Sequence, residues 1–85
     1  MSSTDCPWYV YILRCSDETL YTGITTDLQR RAEEHNSSPK GAKYTRARRP
    51  VELIYFESHK DKSGATIREL EIKKLSKAKK LELIK

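Results

Sequence analysis

The 85-residue chain has room for one domain with a modest core, since 36% of its residues are hydrophobic. Its 17 Lys and Arg outnumber its 12 Asp and Glu, giving a formal net charge of +5 that points to an anionic partner. No apolar run nears the roughly 18 residues of a membrane span. Met1–Asp5 lacks the basic-then-apolar order of a secretory signal, so a cytoplasmic protein with no membrane partner is expected.

Cys6 and Cys15 fit neither a disulfide framework nor zinc-finger spacing. On one extended segment they would stand up to roughly 30 Å apart, and both are read as reduced thiols. In chain order, Trp8-Tyr9-Val10-Tyr11-Ile12-Leu13 is aromatic and β-branched, which predicts a buried strand. Ser16-Asp17-Glu18-Thr19 is a polar turn, and Leu20-Tyr21-Thr22-Gly23-Ile24-Thr25 the return strand of a hairpin. Thr26-x-x-Gln29 has capping-box form, with Asp27 in the first turn where the dipole favours an anion. A helix is therefore predicted from about Asp27 to His35, closed by Asn36 and the Ser37-Ser38-Pro39 breaker.

Residues 40–50 form a basic loop ending at Pro50, in which Lys40, Lys43, Arg46, Arg48 and Arg49 occur with no acid among them. A second cationic group, Lys73, Lys74, Lys77, Lys79 and Lys80, lies near the end of the chain. Two such groups favour phosphate contact. Val51 to Phe56 predicts a third strand. Ser63-x-x-Thr66 opens a helix with Ile67, Leu70, Ile72 and Leu75 as apolar contacts, and Ser76 caps a short last helix carrying Leu81 and Ile84. The order ββαβαα describes an α/β (α+β) domain, a three-stranded, mainly antiparallel sheet flanked by helices. Residues 1–7 read as a tail and 8–85 as the single domain.

Some side chains sit where a purely structural role is awkward. Leu28, Arg31, Ala32 and His35 share one helix face by their i, i+3, i+4 spacing. With Leu28 and Ala32 toward the sheet, Arg31 and His35 flank or enter a packed surface, while Arg30, Glu33 and Glu34 read as solvated charges. A guanidinium beside a core is costly unless it meets an anion or snorkels, and His35 can also be a satisfied histidine at the core edge. Tyr9 and Tyr11 face the same side of their strand. Tyr21 can lie near them, and each can be plain cross-strand packing. Gly23 reads as a bulge or a close backbone approach. The helix wheel does not rank Glu69, beside Ala65 and Ile72, against Glu71, beside Ile67 and Leu75.

Together these residues resemble the GIY-YIG nuclease domain over nearly all of the chain, from about Trp8 onward. Tyr9-Val10-Tyr11 corresponds to the first family triplet, with Tyr9 where the family name has glycine. Tyr21-Thr22-Gly23 corresponds to the second, with Thr22 in place of isoleucine. The family arginine falls at Arg31 and the family histidine at His35. Arg68-Glu69-Leu70-Glu71-Ile72-Lys73 matches the helix supplying the metal carboxylate, with Glu69 at the family position. Gly41-Ala42-Lys43-Tyr44-Thr45 and the Arg-rich loop look like the small stand-alone bacterial members and the structure-specific junction nucleases.

The resemblance implies a metal-dependent endonuclease hydrolysing nucleic-acid phosphodiester bonds, with DNA as the expected partner and shape rather than sequence directing it. It implies Tyr11 as general base or water positioner, with Tyr21 and His35 placing water and phosphate. Arg31 would donate to the scissile phosphate and favour the Tyr11 phenolate. Glu69 would hold one Mg²⁺ or Mn²⁺ ion that keeps waters of its own. Lys40, Lys43, Arg46, Arg48 and Arg49 would clamp the backbone without reading sequence, a partner protein being a further source of specificity. The five catalytic side chains are expected on one face of the sheet. A non-catalytic nucleic-acid-binding module on the same fold is the alternative, although binding alone would not require Tyr11, Arg31 and Glu69 together.

Overall fold

The computed structural model describes residues 7–38 and 40–84. Strand β1 (Trp8–Arg14) is the middle of a three-stranded antiparallel sheet, with β2 (Leu20–Thr25) and β3 (Glu52–His59) at its edges. The hairpin turn is closed locally, since Asp17 Oδ1 accepts from the Thr19 hydroxyl at 2.6 Å and from its N–H at 3.2 Å. The register sets Tyr11 opposite Gly23 and Leu13 opposite Tyr21, and on the other side Tyr11 opposite Phe56.

Alternation along β1 divides the core in two. Val10 and Ile12 meet the buried Ala65 and Ile72 of helix α3 (Lys62–Lys73). Tyr11 and Leu13 point the other way, toward Cys15, Val51 and Leu28 of helix α1 (Leu28–Ser37). The two helices therefore cover opposite faces of the sheet. Burying a side chain such as Ile72, which has no exposed surface, contributes about 1.5–3 kcal/mol.

The expected order ββαβαα is present, with a single-turn helix, α2 (Lys43–Arg46), added inside the basic loop, and a last helix, α4 (Lys77–Ile84). The caps are one short step from those expected. Asp27, rather than Thr26, caps α1, its carboxylate accepting from Arg30 N–H at 3.0 Å. Asp61, rather than Ser63, caps α3 by accepting from Gly64 N–H at 2.8 Å. Aspartate is as good a cap as serine and a better one than threonine. Ser76 sits ahead of α4 as expected, its Oγ 3.3 Å from Lys79 N.

Ile67 and Leu70 are 60% and 54% exposed and are not the core contacts expected of α3. Ala65 and Ile72 set the rotation of that helix instead. They lie two turns apart, and residues 68 and 69 between them turn toward the sheet. Cys15 is a buried free thiol, whereas Cys6 and Met1–Asp5 lie outside the described residues. No helix of the described residues is long and apolar enough to cross a membrane.

Candidate functional site

The site is built outward from Tyr11. Its ring lies across Gly23 on the edge strand, where a Cβ would stand 2.5 Å from the phenol oxygen and 2.7 Å from Cζ. Of the two readings of Gly23, close approach is the one found. The phenol oxygen is 2.9 Å from Nε2 of His35, which is fully buried. The ring of Tyr21 has its centroid 5.2 Å from that of His35 and stacks on Tyr44 at 5.8 Å.

Burial governs the protonation of this cluster. It pushes the Tyr11 phenol up to about 12 despite the Arg31 guanidinium beside it. Tyr11 is therefore a neutral phenol at neutral pH, and in the free domain desolvation overrides the expected pull of Arg31 toward phenolate. Burial first, then the positive charge of Arg31, lowers His35 to about 4, leaving it a neutral imidazole. Arg31 itself is half-buried and paired. Its Nη1 is 2.9 Å from Glu34 Oε1 and 2.9 Å from Lys40 O, so Glu34 is not the solvated charge expected of it.

A stability effect follows from His35. Its pKa is about 4 in the fold against an ordinary 6.5, so the unfolded chain binds more protons between those values. The stabilisation is complete above pH 6.5 and is lost as pH falls toward 4, by roughly 3 kcal/mol in all. Glu34, held low by its hydrogen bond from Arg31, enters only below its ordinary 4.5. Urea unfolding at pH 7 and pH 4.5 should show the loss, and equal stabilities would mean that His35 is not buried as a neutral group.

Tyr11, Tyr21, Arg31 and His35 gather on the α1 side of the sheet. Glu69 rises from α3 on the opposite face, so the expectation that all five share one face does not hold for it. Four residues after Ala65 and three before Ile72, it turns inward and is 17% exposed, against 59% for Glu71. Its negative charge acts on the Tyr11 phenol, whose ring crosses the edge strand over Gly23. Among the described residues the one polar partner of Glu69 is Lys73, Nζ lying 3.2 Å from Oε2, whereas Glu71 is taken by Arg68 at 3.2 Å.

The basic loop is less free than its composition implies. Arg49 donates to the carbonyls of His35, Glu34 and Ser38, capping the C-terminal end of α1. Gly41 packs onto the same carbonyl end, where a Cβ would stand 2.6 Å from Glu34 O. Arg48 holds Asp17 through Nε at 3.0 Å and Tyr44 O through Nη1 at 2.9 Å, with its guanidinium 3.9 Å above the Tyr44 ring. Both are expected to clamp phosphate, and in the free domain Arg49 also holds the loop to α1 and Arg48 holds it to the hairpin turn. Lys40, Lys43 and Arg46 are exposed and form no ion pair among the described residues. Arg49→Ala should cost about 1.5–3 kcal/mol, the range for hydrogen bonds from a charged group, and Arg46→Ala within about 0.5 kcal/mol of nothing. Equal urea midpoints for the two variants would contradict the cap.

Two residues of the site were not singled out by sequence reasoning. Thr45 is fully buried, with Oγ1 2.7 Å from His35 Nδ1, and Tyr44 extends the aromatic stack from Tyr21 to Arg48. No periodicity marks them, because both contacts cross a loop.

The family model described as "GIY-YIG catalytic domain" matches residues 7–82. A UPF0213 protein of Desulfotalea psychrophila is 59% identical over 83 residues, covering 96% of this chain and 76% of the relative. One of Syntrophus aciditrophicus is 57% identical over 77 residues, covering 91% and 88%. The solution NMR structure of a UPF0213 protein from Bacillus halodurans aligns with a TM-score of 0.58 at 47% identity, covering 92% of this chain and 82% of that one. A protein of E. faecalis aligns with a TM-score of 0.60 at 46% identity, covering 91% and 82%.

Proposed function

Since the chain belongs to the GIY-YIG family, whose domain is a nuclease domain, we propose that it is a metal-dependent endonuclease hydrolysing phosphodiester bonds in DNA. The observation that carries this is the pairing of buried Tyr11 and His35, with half-buried Arg31 beside them, and an inward carboxylate, Glu69, whose charge acts on the phenol.

Glu69 fits one divalent ion. It is a mostly buried carboxylate held only by a lysine, an arrangement in which a cation already balances it. Among the described residues no group of three or more His, Cys, Asp and Glu converges, so an ion at Glu69 would have to keep most of its ligands as waters and phosphate oxygens. Bound at Glu69, such an ion would neutralise phosphoryl charge and supply the positive field that so high a phenol needs before it can take a proton from water.

The chain's own residues do the rest. Arg31, braced by Glu34 and the Lys40 carbonyl, presents the remainder of its planar fork to the phosphate. Tyr11, once its own proton has passed to solvent, orients the attacking water and takes a proton from it. His35, neutral at working pH, holds the phenol oxygen in place, and Tyr21 packs that imidazole from the side. Lys40, Lys43 and Arg46 draw in the backbone, leaving specificity to nucleic-acid shape or to a partner protein.

The test is cleavage of single-stranded, flapped, forked and junction DNA with Mg²⁺ or Mn²⁺. At least one should be cut, and chelation should stop it. Binding to all of them with no cut in either metal would hand the chain to the binding-module reading. Affinity should fall linearly in log salt. Each of Lys40, Lys43 and Arg46 neutralised should lower that slope by about 1, whereas Arg49→Ala should leave it unchanged. A slope unmoved by the first three would dispose of the clamp.

A further inference from the structure

The polar contacts of His35 determine which of its nitrogens carries the ring proton. Thr45 Oγ1 lies 2.7 Å from Nδ1, and the Ala42 backbone N–H is directed at the same nitrogen from 3.4 Å. A backbone N–H can only donate, so the nitrogen it faces presents a lone pair. The single proton of the Thr45 hydroxyl has two acceptors in reach, Nδ1 and the Ala42 carbonyl at 2.9 Å. That carbonyl already receives the backbone N–H groups of Thr45 and Arg46, each at 3.1 Å, whereas Nδ1 has only the long contact from Ala42. The hydroxyl proton belongs with Nδ1.

We infer that Thr45 is a positioning residue that fills Nδ1 and holds His35 as the Nε2–H tautomer, so that the imidazole donates its hydrogen bond to the Tyr11 oxygen. Nε2 lies 2.9 Å from that oxygen, and burial keeps the imidazole neutral, with one ring proton to place. The phenol's own proton then points away from His35. A phenolate formed during the reaction would be stabilised by Nε2–H on one side and Arg31 on another. His35 does not receive the phenol proton, which leaves to solvent; it supports the oxygen that releases it. The catalytic consequence rests on the nuclease reading above, but the tautomer does not.

The test is ¹⁵N NMR of the imidazole nitrogens at pH 7, with His59→Gln removing the signals of the only other histidine. The unmodified chain should show Nδ1 as the unprotonated nitrogen and Nε2 as the protonated one. Thr45→Ser should keep that pattern, and Thr45→Val, which conserves volume, should mix the two nitrogens or move the proton to Nδ1. In cleavage, Thr45→Val should lose about 10–100-fold in kcat, the range for removing a group that orients a functional histidine. KM should hold, and Thr45→Ser should restore the rate. A proton on Nδ1 in the unmodified chain overturns the inference, and so do nitrogen signals untouched by Thr45→Val. If Thr45→Val fails to fold, the patterns of the unmodified chain and of Thr45→Ser decide. A chain that cuts no DNA yet shows protonated Nε2 would remove the nuclease reading and leave this inference standing.

Discussion

Glu69→Gln should lose at least about a hundredfold of metal-dependent cleavage while folding and backbone binding stay close to those of the unmodified chain. The substitution keeps the volume and removes the inward-turned carboxylate charge proposed to hold the metal. It also releases Lys73, whose partner is the Oε2 of that carboxylate, but Lys73 is half-exposed and such surface pairs contribute little to stability. Glu71→Gln is the control. At 59% exposed and paired with Arg68, Glu71 belongs to the outer surface, and its loss should leave the rate within about twofold, consistent with a surface change of under 0.5 kcal/mol. Single-turnover rates of both variants in Mg²⁺ check this. An inactive Glu71→Gln beside an active Glu69→Gln would mean that the metal carboxylate has been assigned to the wrong glutamate.

Gly23→Ala should damage the site almost as much without replacing a polar side chain. Its methyl would arrive 2.5 Å from the Tyr11 oxygen and 2.7 Å from Cζ, inside any tolerable contact, so the ring must swing off the strand. The backbone raises no objection, because no glycine here has a positive φ and alanine can follow the strand. The fold should survive with an overpacking cost of about 1–3 kcal/mol. The Tyr11–His35 contact of 2.9 Å should be broken. Displacing a reacting group by about 1 Å costs on the order of 10²-fold in rate, and the loss should appear in kcat more than in DNA affinity. Urea melts, binding and turnover measured on the same preparation separate these effects. Full activity in Gly23→Ala would mean that Tyr11 does not work from where it lies.

Much of this was legible in the sequence because it depends on short-range periodicity. The aromatic and β-branched run Trp8–Leu13 and the i, i+4 spacing of Arg31 and His35 are local signals, and both produced the structure they describe. The caps went astray by one or two positions because Asp27 and Asp61 stand beside plausible hydroxyl caps, and sequence alone does not say which side chain meets the free N–H groups. The wheel could not choose between Glu69 and Glu71 because that choice depends on which apolar pair of α3 reaches the sheet. Ala65 and Ile72 do, and the bulkier Ile67 and Leu70 do not.

The basic loop shows the opposite limit. Composition makes Arg48 and Arg49 look equivalent to Arg46, but their partners are backbone carbonyls and an aspartate far along the chain. Long-range contacts of this kind leave no periodic trace. Thr45 was invisible for the same reason, and so was the approach of Glu69 from the far side of the sheet.

That approach is the central claim, since it makes one catalytic centre of side chains carried by helices on opposite faces. A double-mutant cycle of Tyr11→Phe and Glu69→Gln, read as single-turnover cleavage of a branched DNA in Mg²⁺, tests it most directly. Groups that act as a unit lose together, so the double variant should be no slower than the slower single variant, within about threefold. Losses that multiply would mean that Tyr11 and Glu69 serve separate sites rather than one catalytic centre.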